Sequence, residues 1–183
     1  MPRPGLIVRI EKARKGQGAL VRQAILTYLD ELYRFALHLT RNAEHAGELV
    51  QECVLRALKG QNAVMREPRS WLFQTLYHAF VDHYRKGVLR GTYDEDFSCE
   101  EIQEGAVADP LPGVIAREDV QNAVEKLPLT FRAVVWLSDA EEIPLREIAE
   151  ILGCPLGTVA SRLARGRQEL RRLLSTYAPQ GEK

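Results

Sequence analysis

The stretch GVLRGTYDEDFSCEEIQEGAVADPLPG, residues 87–113, constrains this chain more than any other. Glycines, prolines and carboxylates crowd out large apolar side chains, so the segment cannot build a core and reads as a linker. An acidic linker over 88–117 separates an N-terminal block, 19–87, from a C-terminal block, 118–178. A basic tail, 1–18, precedes them and a short tail, 179–183, follows. Blocks this small bury only about 60% of the surface that their unfolded chains expose. Each gains stability from a partner.

Both blocks carry helical periodicity. Ile25, Leu29, Leu32, Phe35, Ala36 and Leu39 mark a helix from about 19 to 40. Ala46, Leu49, Val50, Cys53, Val54 and Ala57 mark a second over 43–59, and Pro68 opens a third that runs to about Lys86. In the C-terminal block Pro128 opens a helix through Leu137. Pro144 opens another, with Leu145, Ile148, Ala149 and Leu152 inward, and Gly153 ends it. No alternating strand pattern of useful length occurs. The expected fold is all-α: two small helical domains joined by an acidic linker, the second ending in a helix-turn-helix.

The formal net charge of zero is unevenly spread. Residues 1–18 carry five Lys/Arg against Glu11, residues 87–118 carry two basic and eight acidic groups, and residues 156–174 carry five Arg against Glu169. A nucleic-acid partner is therefore compatible with overall neutrality. No run approaches the roughly 18 apolar residues of a membrane span, so no membrane insertion is expected. Cys53, Cys99 and Cys154 show no metal or disulfide spacing. Cys53 and Cys154 read as plain core residues, and a reducing cytoplasm is the simplest home. His38, His45, His78 and His83 form no ligand set, and no nucleophile elbow or phosphate loop occurs. His78 and Asp82, four apart, read as a hydrogen-bonded pair on a helix surface. Neither enzymatic activity nor a metal or cofactor is expected.

The most informative motif is PLREIAEILGCPLGTVASRLARGRQEL. It reads as helix, glycine-containing turn, helix, the layout in which the second helix enters the major groove. Along that helix Val159, Leu163, Gly166 and Leu170 form a core-facing stripe. Thr158, Ser161, Arg162 and Arg165 form a second stripe of hydroxyls and cations, suited to phosphates and base edges. Glu169, four residues after Arg165, is placed to hold its guanidinium.

EIAEILGCPLGTVASRLARGRQELRRLL resembles the promoter-reading region of bacterial RNA polymerase sigma factors of the extracytoplasmic-function (ECF) group, with VEKLPLTFRAVVWL resembling the helix before it. Pro144 stands where a capping Ser or Thr is common in that family, and Ala160 where many members have a basic residue. AGELVQECVLRALK, residues 46–59, resembles the helix with which sigma factors grip the polymerase clamp. The resemblance implies that Glu48, Gln51 and Glu52 contact polymerase. PRSWLFQTLYHAFVDHYRKG, residues 68–87, looks like the helix that reads and opens the downstream promoter element, with His78 replacing a common asparagine. The loop KGQNAVMRE matches in position the family loop that captures a flipped base, so Asn62 and Met65 are candidate pocket members. Trp71 lies on another side of the helix from the aromatic stripe Phe73, Tyr77, Phe80 and Tyr84, which reads as core. Arg85 and Lys86 end the helix where phosphates are within reach. The family implies core RNA polymerase and promoter DNA as partners and an anti-sigma factor as regulator.

Two other functions fit parts of the chain: a stand-alone helix-turn-helix regulator, and a sigma-like decoy that binds an anti-sigma protein without DNA. The polymerase-gripping helix argues against the first, and the grouped reading residues argue against the second. A flexible linker of this length has a relaxed span of roughly 30 Å and a limit near 90 Å. Promoter elements two helical turns apart lie roughly 70 Å from each other. The tether reaches only when something large holds the readers apart.

Overall fold

The computed structural model describes residues 4–59, 67–87 and 117–175. The chain divides into two compact units, Met1–Arg90 and Gly91–Lys183. The described residues are helical with turns between, and none is in a strand. The all-α expectation holds.

Unit one contains α1 (Pro4–Thr40), α2 (Ala43–Lys59) and α3 (Pro68–Arg85). α1 starts well before residue 19, so most of the stretch expected to be a basic tail is helix. Pro4 suits a first helical turn, and LIVRIEKARK is free of proline. Gly16 and Gly18 cost only about 1 kcal/mol each relative to alanine, too little to end the helix. At its far end α1 turns a tight corner. Arg41 takes a left-handed φ of 51°, and the Asn42 side chain accepts hydrogen bonds from the Glu44 and His45 backbone amides at 2.8 and 3.0 Å, capping α2.

The core of this unit is built from Leu32, Phe35, Ala36 and Leu39 of α1, Leu49, Cys53 and Ala57 of α2, and Leu72, Phe73, Leu76 and Phe80 of α3, all fully buried. The Phe35 and Phe73 rings meet at 5.4 Å between centroids. The aromatic stripe of α3 is therefore core through Phe73, Tyr77 and Phe80, with Tyr84 half-buried. Leu29, expected inward, is exposed; it lies on the flank of its stripe beside exposed Leu26 and Tyr33.

Charged groups tie the same three helices together at the surface. Arg69 of α3 donates to Glu31 of α1 at 2.8 Å. Arg56 bridges two helices: it donates to Glu52, one turn earlier on α2, at 2.6 Å and to Asp82 of α3 at 2.8 Å. His83 of α3 meets the other Glu52 oxygen at 2.6 Å. Asp82 thus pairs across to α2 rather than with His78 on its own helix. Burial alone raises the Glu52 carboxyl, but hydrogen bonds from His83 and Arg56 outweigh it and hold the group below its ordinary 4.5.

Unit two contains α4 (Arg117–Lys126), α5 (Leu129–Val135), a single π turn (Trp136–Ala140), α6 (Leu145–Leu152) and α7 (Leu156–Leu174). The periodicity gave no helix at α4, most of which precedes Pro128 by only a few residues. Arg132 of α5 is 1% exposed and donates to the Leu127 carbonyl at 2.9 Å, so a guanidinium closes the corner between α4 and α5. α5 and α7 pack very closely at Gly166. A Cβ there would lie 2.7 Å from Val135 Cγ2 and 3.2 Å from Phe131 Cβ.

Two outcomes follow from this packing. Gly166→Ala gains up to about 1 kcal/mol in helix propensity, but overpacking costs about 1–3 kcal/mol, and neither neighbouring carbon is the end of a flexible chain. Thermal or urea unfolding is expected to show a net loss; a variant as stable as wild type would contradict the close approach. In unit one, a carboxyl depressed on folding contributes stability above pH 4.5, and that contribution fades as pH falls through the lower folded value. Wild type is expected to exceed Glu52→Gln by about 1 kcal/mol near neutrality, the scale of a half-exposed pair. The gap should close in acid, and a gap constant across that range would refute the assignment.

Candidate nucleic-acid interface and partner surface

The helix-turn-helix is present as α6, turn and α7. Gly153 ends α6 at φ 63°, in the left-handed region where glycine carries no steric penalty. The next amide, of Cys154, donates back to the Ala149 carbonyl at 3.1 Å. Pro155 then starts α7, accepting from the Val159 amide at 3.1 Å. The stripe Val159, Leu163, Gly166 and Leu170 is buried as its spacing predicts. On the outer side Arg167 donates to both oxygens of Asp139 in the π turn, and these hydrogen bonds raise its guanidinium further. Apolar packing and this pair fix the rotation of α7 about its axis.

That rotation separates the four expected reading residues. Arg165 is exposed. Thr158, Ser161 and Arg162 are not: they are 3%, 4% and 4% exposed. Thr158 and Arg162 lie on the flank of the core stripe, within roughly 100° of Val159 around the helix. The Arg162 guanidinium points back to the turn and donates to the Cys154 sulfur at 3.4 Å. Ser161 donates to the Thr158 carbonyl at 3.0 Å, while the Thr158 hydroxyl is buried without a hydrogen-bond partner. The water-facing side of α7 instead presents Gly157, Ala160, Arg165, Gln168 and Arg172. Gln168 escaped the sequence reading because only charged and hydroxyl groups were followed along the stripe. Glu169 does not hold Arg165; it pairs with Arg172 at 2.6 and 2.9 Å, and that contact holds its carboxyl below the ordinary value.

The cysteines differ from expectation at one place. Cys53 is a free buried thiol, pushed up to about 12 by burial. Cys154, expected as a plain core residue, is disulfide-bonded.

On unit one, Glu48 and Gln51 of α2 are exposed as expected. Glu52 is half-buried and committed to Arg56 and His83, so it braces α2 against α3 rather than standing free. Leu55 was missed. It is 56% exposed, and it continues the stripe of Glu48 and Gln51 at i, i+3 and i+7. Leu55 thus adds an apolar side chain to that otherwise polar outward stripe. Arg85 and Lys86 are exposed at the end of α3 and Trp71 is half-buried. Asn62 and Met65 lie outside the described residues, as does nearly all of the linker. Among the described residues no group of three His, Cys, Asp or Glu side chains is placed to hold a metal ion, and no helix is long and apolar enough to cross a membrane.

Comparison with known proteins matches both units. Residues 24–88 match the family model for sigma-70 region 2, and residues 117–170 match the one for sigma-70 region 4. The ECF RNA polymerase sigma factor EcfG of Rhodopseudomonas palustris is 35% identical over 161 residues, which cover 84% of this chain and 84% of EcfG. SigW of Bacillus subtilis is 28% identical over 179 residues, covering 91% of this chain and 95% of SigW. SigE of Mycolicibacterium smegmatis is 35% identical over 165 residues, but this chain spans only 62% of it. Among solved structures, the sigma factor RpoE in complex with the anti-sigma factor NepR from Bartonella quintana superposes with a TM-score of 0.65 at 27% identity, covering 84% of this chain and 96% of that one. The chain belongs to the extracytoplasmic-function family of RNA polymerase sigma factors.

Proposed function

We propose that the chain binds core RNA polymerase through unit one and directs it to promoters whose two elements are read by units one and two. The observation that carries this reading is the stripe Glu48, Gln51 and Leu55, an outward surface with an exposed leucine that unit one does not use for its own folding. Its position within the matched region 2, together with the helix-turn-helix of the matched region 4, supports the assignment. The chain itself does no bond chemistry; phosphodiester formation belongs to the polymerase, and the bacterial cytoplasm is where that enzyme meets its template.

In this reading Arg165 and Gln168 meet the upstream element from the exposed side of α7. Ser161, Thr158 and Arg162, all nearly buried, shape the turn and the opening of α7 from within. Arg85, Lys86 and Trp71, with Asn62 and Met65 from the preceding loop, serve the downstream element. An anti-sigma factor controls the chain, by analogy with the complex in which the similar RpoE was solved.

Run-off transcription with core polymerase over a genomic promoter library tests the whole reading, and the free protein should give no tight, specific footprint by itself. Specific footprinting without polymerase would indicate a stand-alone regulator. Gln51→Ala combined with Leu55→Ala is expected to weaken polymerase binding by about 1–3 kcal/mol with unit one still folded; undiminished co-purification would remove the clamp assignment. Arg165→Ala is expected to relax preference within the upstream element by about 1–3 kcal/mol. Arg172→Ala, nearer the far end of α7, should weaken all templates alike and lower the salt slope by about one. Equal effects of these two changes on a panel of single-base variants would dismiss Arg165 as a reader.

A further inference from the structure

Among the described residues six large apolar side chains are exposed, and four of them, Leu20, Leu26, Leu29 and Tyr33, are on α1. Scattered exposed leucines need no explanation. Three of these are not scattered. Leu26, Leu29 and Tyr33 are 70%, 37% and 39% exposed and stand at i, i+3 and i+7, and half-buried Leu37 continues them at i+11. At about 100° per residue the four fall within roughly 80° of one another, in a stripe about 16 Å long. It adjoins the buried stripe of Leu32, Phe35 and Leu39, yet α2 and α3 leave it in water.

The charges beside it narrow the choice of partner. Asp30 and Arg34 lie one turn apart on the flank of the stripe that faces away from the core, and both are exposed. Among the described residues neither is held in an ion pair. A polyanion would meet Asp30 as readily as Arg34, so neither DNA nor an anionic bilayer fits this edge. What fits is an apolar stripe edged by the same two charges in reversed order. An antiparallel copy of α1 offers that.

We propose that two copies of this chain associate through this face of α1, antiparallel about a two-fold axis level with residue 32. In such an interface every contact is made twice, residue i on j and j on i. Asp30 and Arg34 lie two residues either side of the axis, so each faces its opposite charge in the second copy. Leu26 is six residues before the axis and Leu37 five after it, so these meet at both ends, with Leu29 and Tyr33 filling the middle. One register thus satisfies the apolar and the charged positions together. Four apolar side chains a copy fall well short of the roughly 20–30 residues a side of a standard interface, which makes the dimer weak and reversible.

Reversibility matters because of what lies next to the stripe. Glu31, on the far side of the core stripe, accepts from Arg69 of α3, so the apolar stripe is on the side of α1 toward α2. On α2 the residues that reach α3 are Glu52 and Arg56; the opposite flank runs outward from half-buried Val54 to exposed Gln51 and Leu55. A copy seated on α1 therefore stands beside the stripe assigned to polymerase, and the two partners compete. The inference rests on the sigma-factor reading for this consequence but not for the association itself.

Sedimentation velocity of the full-length chain over a range of concentrations tests it. Wild type should pass from monomer to dimer as concentration rises. Asp30→Arg or Arg34→Asp alone should raise the dissociation constant about tenfold or more, because like charges then oppose each other at two symmetric contacts. The double reversal, Asp30→Arg with Arg34→Asp, should restore the wild-type constant. Leu26→Ala should also weaken the dimer about tenfold, since the side chain is lost from both copies. All four positions are in water in the monomer, and far-UV dichroism with urea unfolding checks that each variant is folded. A wild type that stays monomeric, or a double reversal no better than either single one, would overturn the proposal. So would variants that self-associate like wild type but lose core polymerase, an outcome that gives the face to the enzyme. Added core polymerase should dissociate the wild-type dimer. A dimer that follows the charge swaps while polymerase binds no form of the chain would count against the sigma-factor reading and leave the dimer supported.

Discussion

What unit two can offer a partner depends on one contact, the approach of α7 to α5 at Gly166. With no side chain there, Val135 and Phe131 come against the backbone of α7, and the buried stripe on either side of Gly166 locks the helix in one rotation. A turn of even a few tens of degrees would bring Arg162 outward and carry Arg165 or Gln168 toward the core. Cationic side chains on α7 are plentiful, but which of them meets water is decided by the glycine and not by the arginines. Asp139 and Arg167 pin the same rotation from outside, so it is held by apolar contact on one side and a charge pair on the other.

Unit one solves a different problem, that of three helices with a modest shared core. Its apolar interior is supplemented by Arg56, Glu52, Asp82 and His83, which connect α2 and α3 across the surface. Half-exposed ion pairs of this kind are individually weak. Their consequence is mainly geometric: Glu52 is drawn toward α3, and the outward face of α2 is left to Glu48, Gln51 and Leu55.

Much of this was legible in the sequence because proline, glycine and apolar spacing act locally. Pro68, Pro128, Pro144, Pro155 and Gly153 each stand at a helix boundary, and the stripes of α2, α3 and α7 turned inward as their periods require. The features that were not legible all depend on what lies across from a residue. Nothing in the neighbourhood of Arg132 shows that a guanidinium would be sealed under a corner. Periodicity gives Ser161 an outward direction without revealing that it is buried. Glu52 faces outward on its own helix and is claimed by the next. The short helix α4 lacks an apolar stripe strong enough to stand out beside the linker.

The bridge between α2 and α3 has a mechanical meaning as well. In the proposed reading α2 carries the stripe offered to the polymerase and α3 ends in the cations offered to DNA; between the two helices run two charge contacts, Arg56 to Asp82 and His83 to Glu52, and a shared core of leucines and phenylalanines. A load applied to one is passed to the other through these contacts. If the proposed assignments hold, strain from a duplex opened at the end of α3 reaches the polymerase grip through those contacts, and unit one acts as a strut between the two.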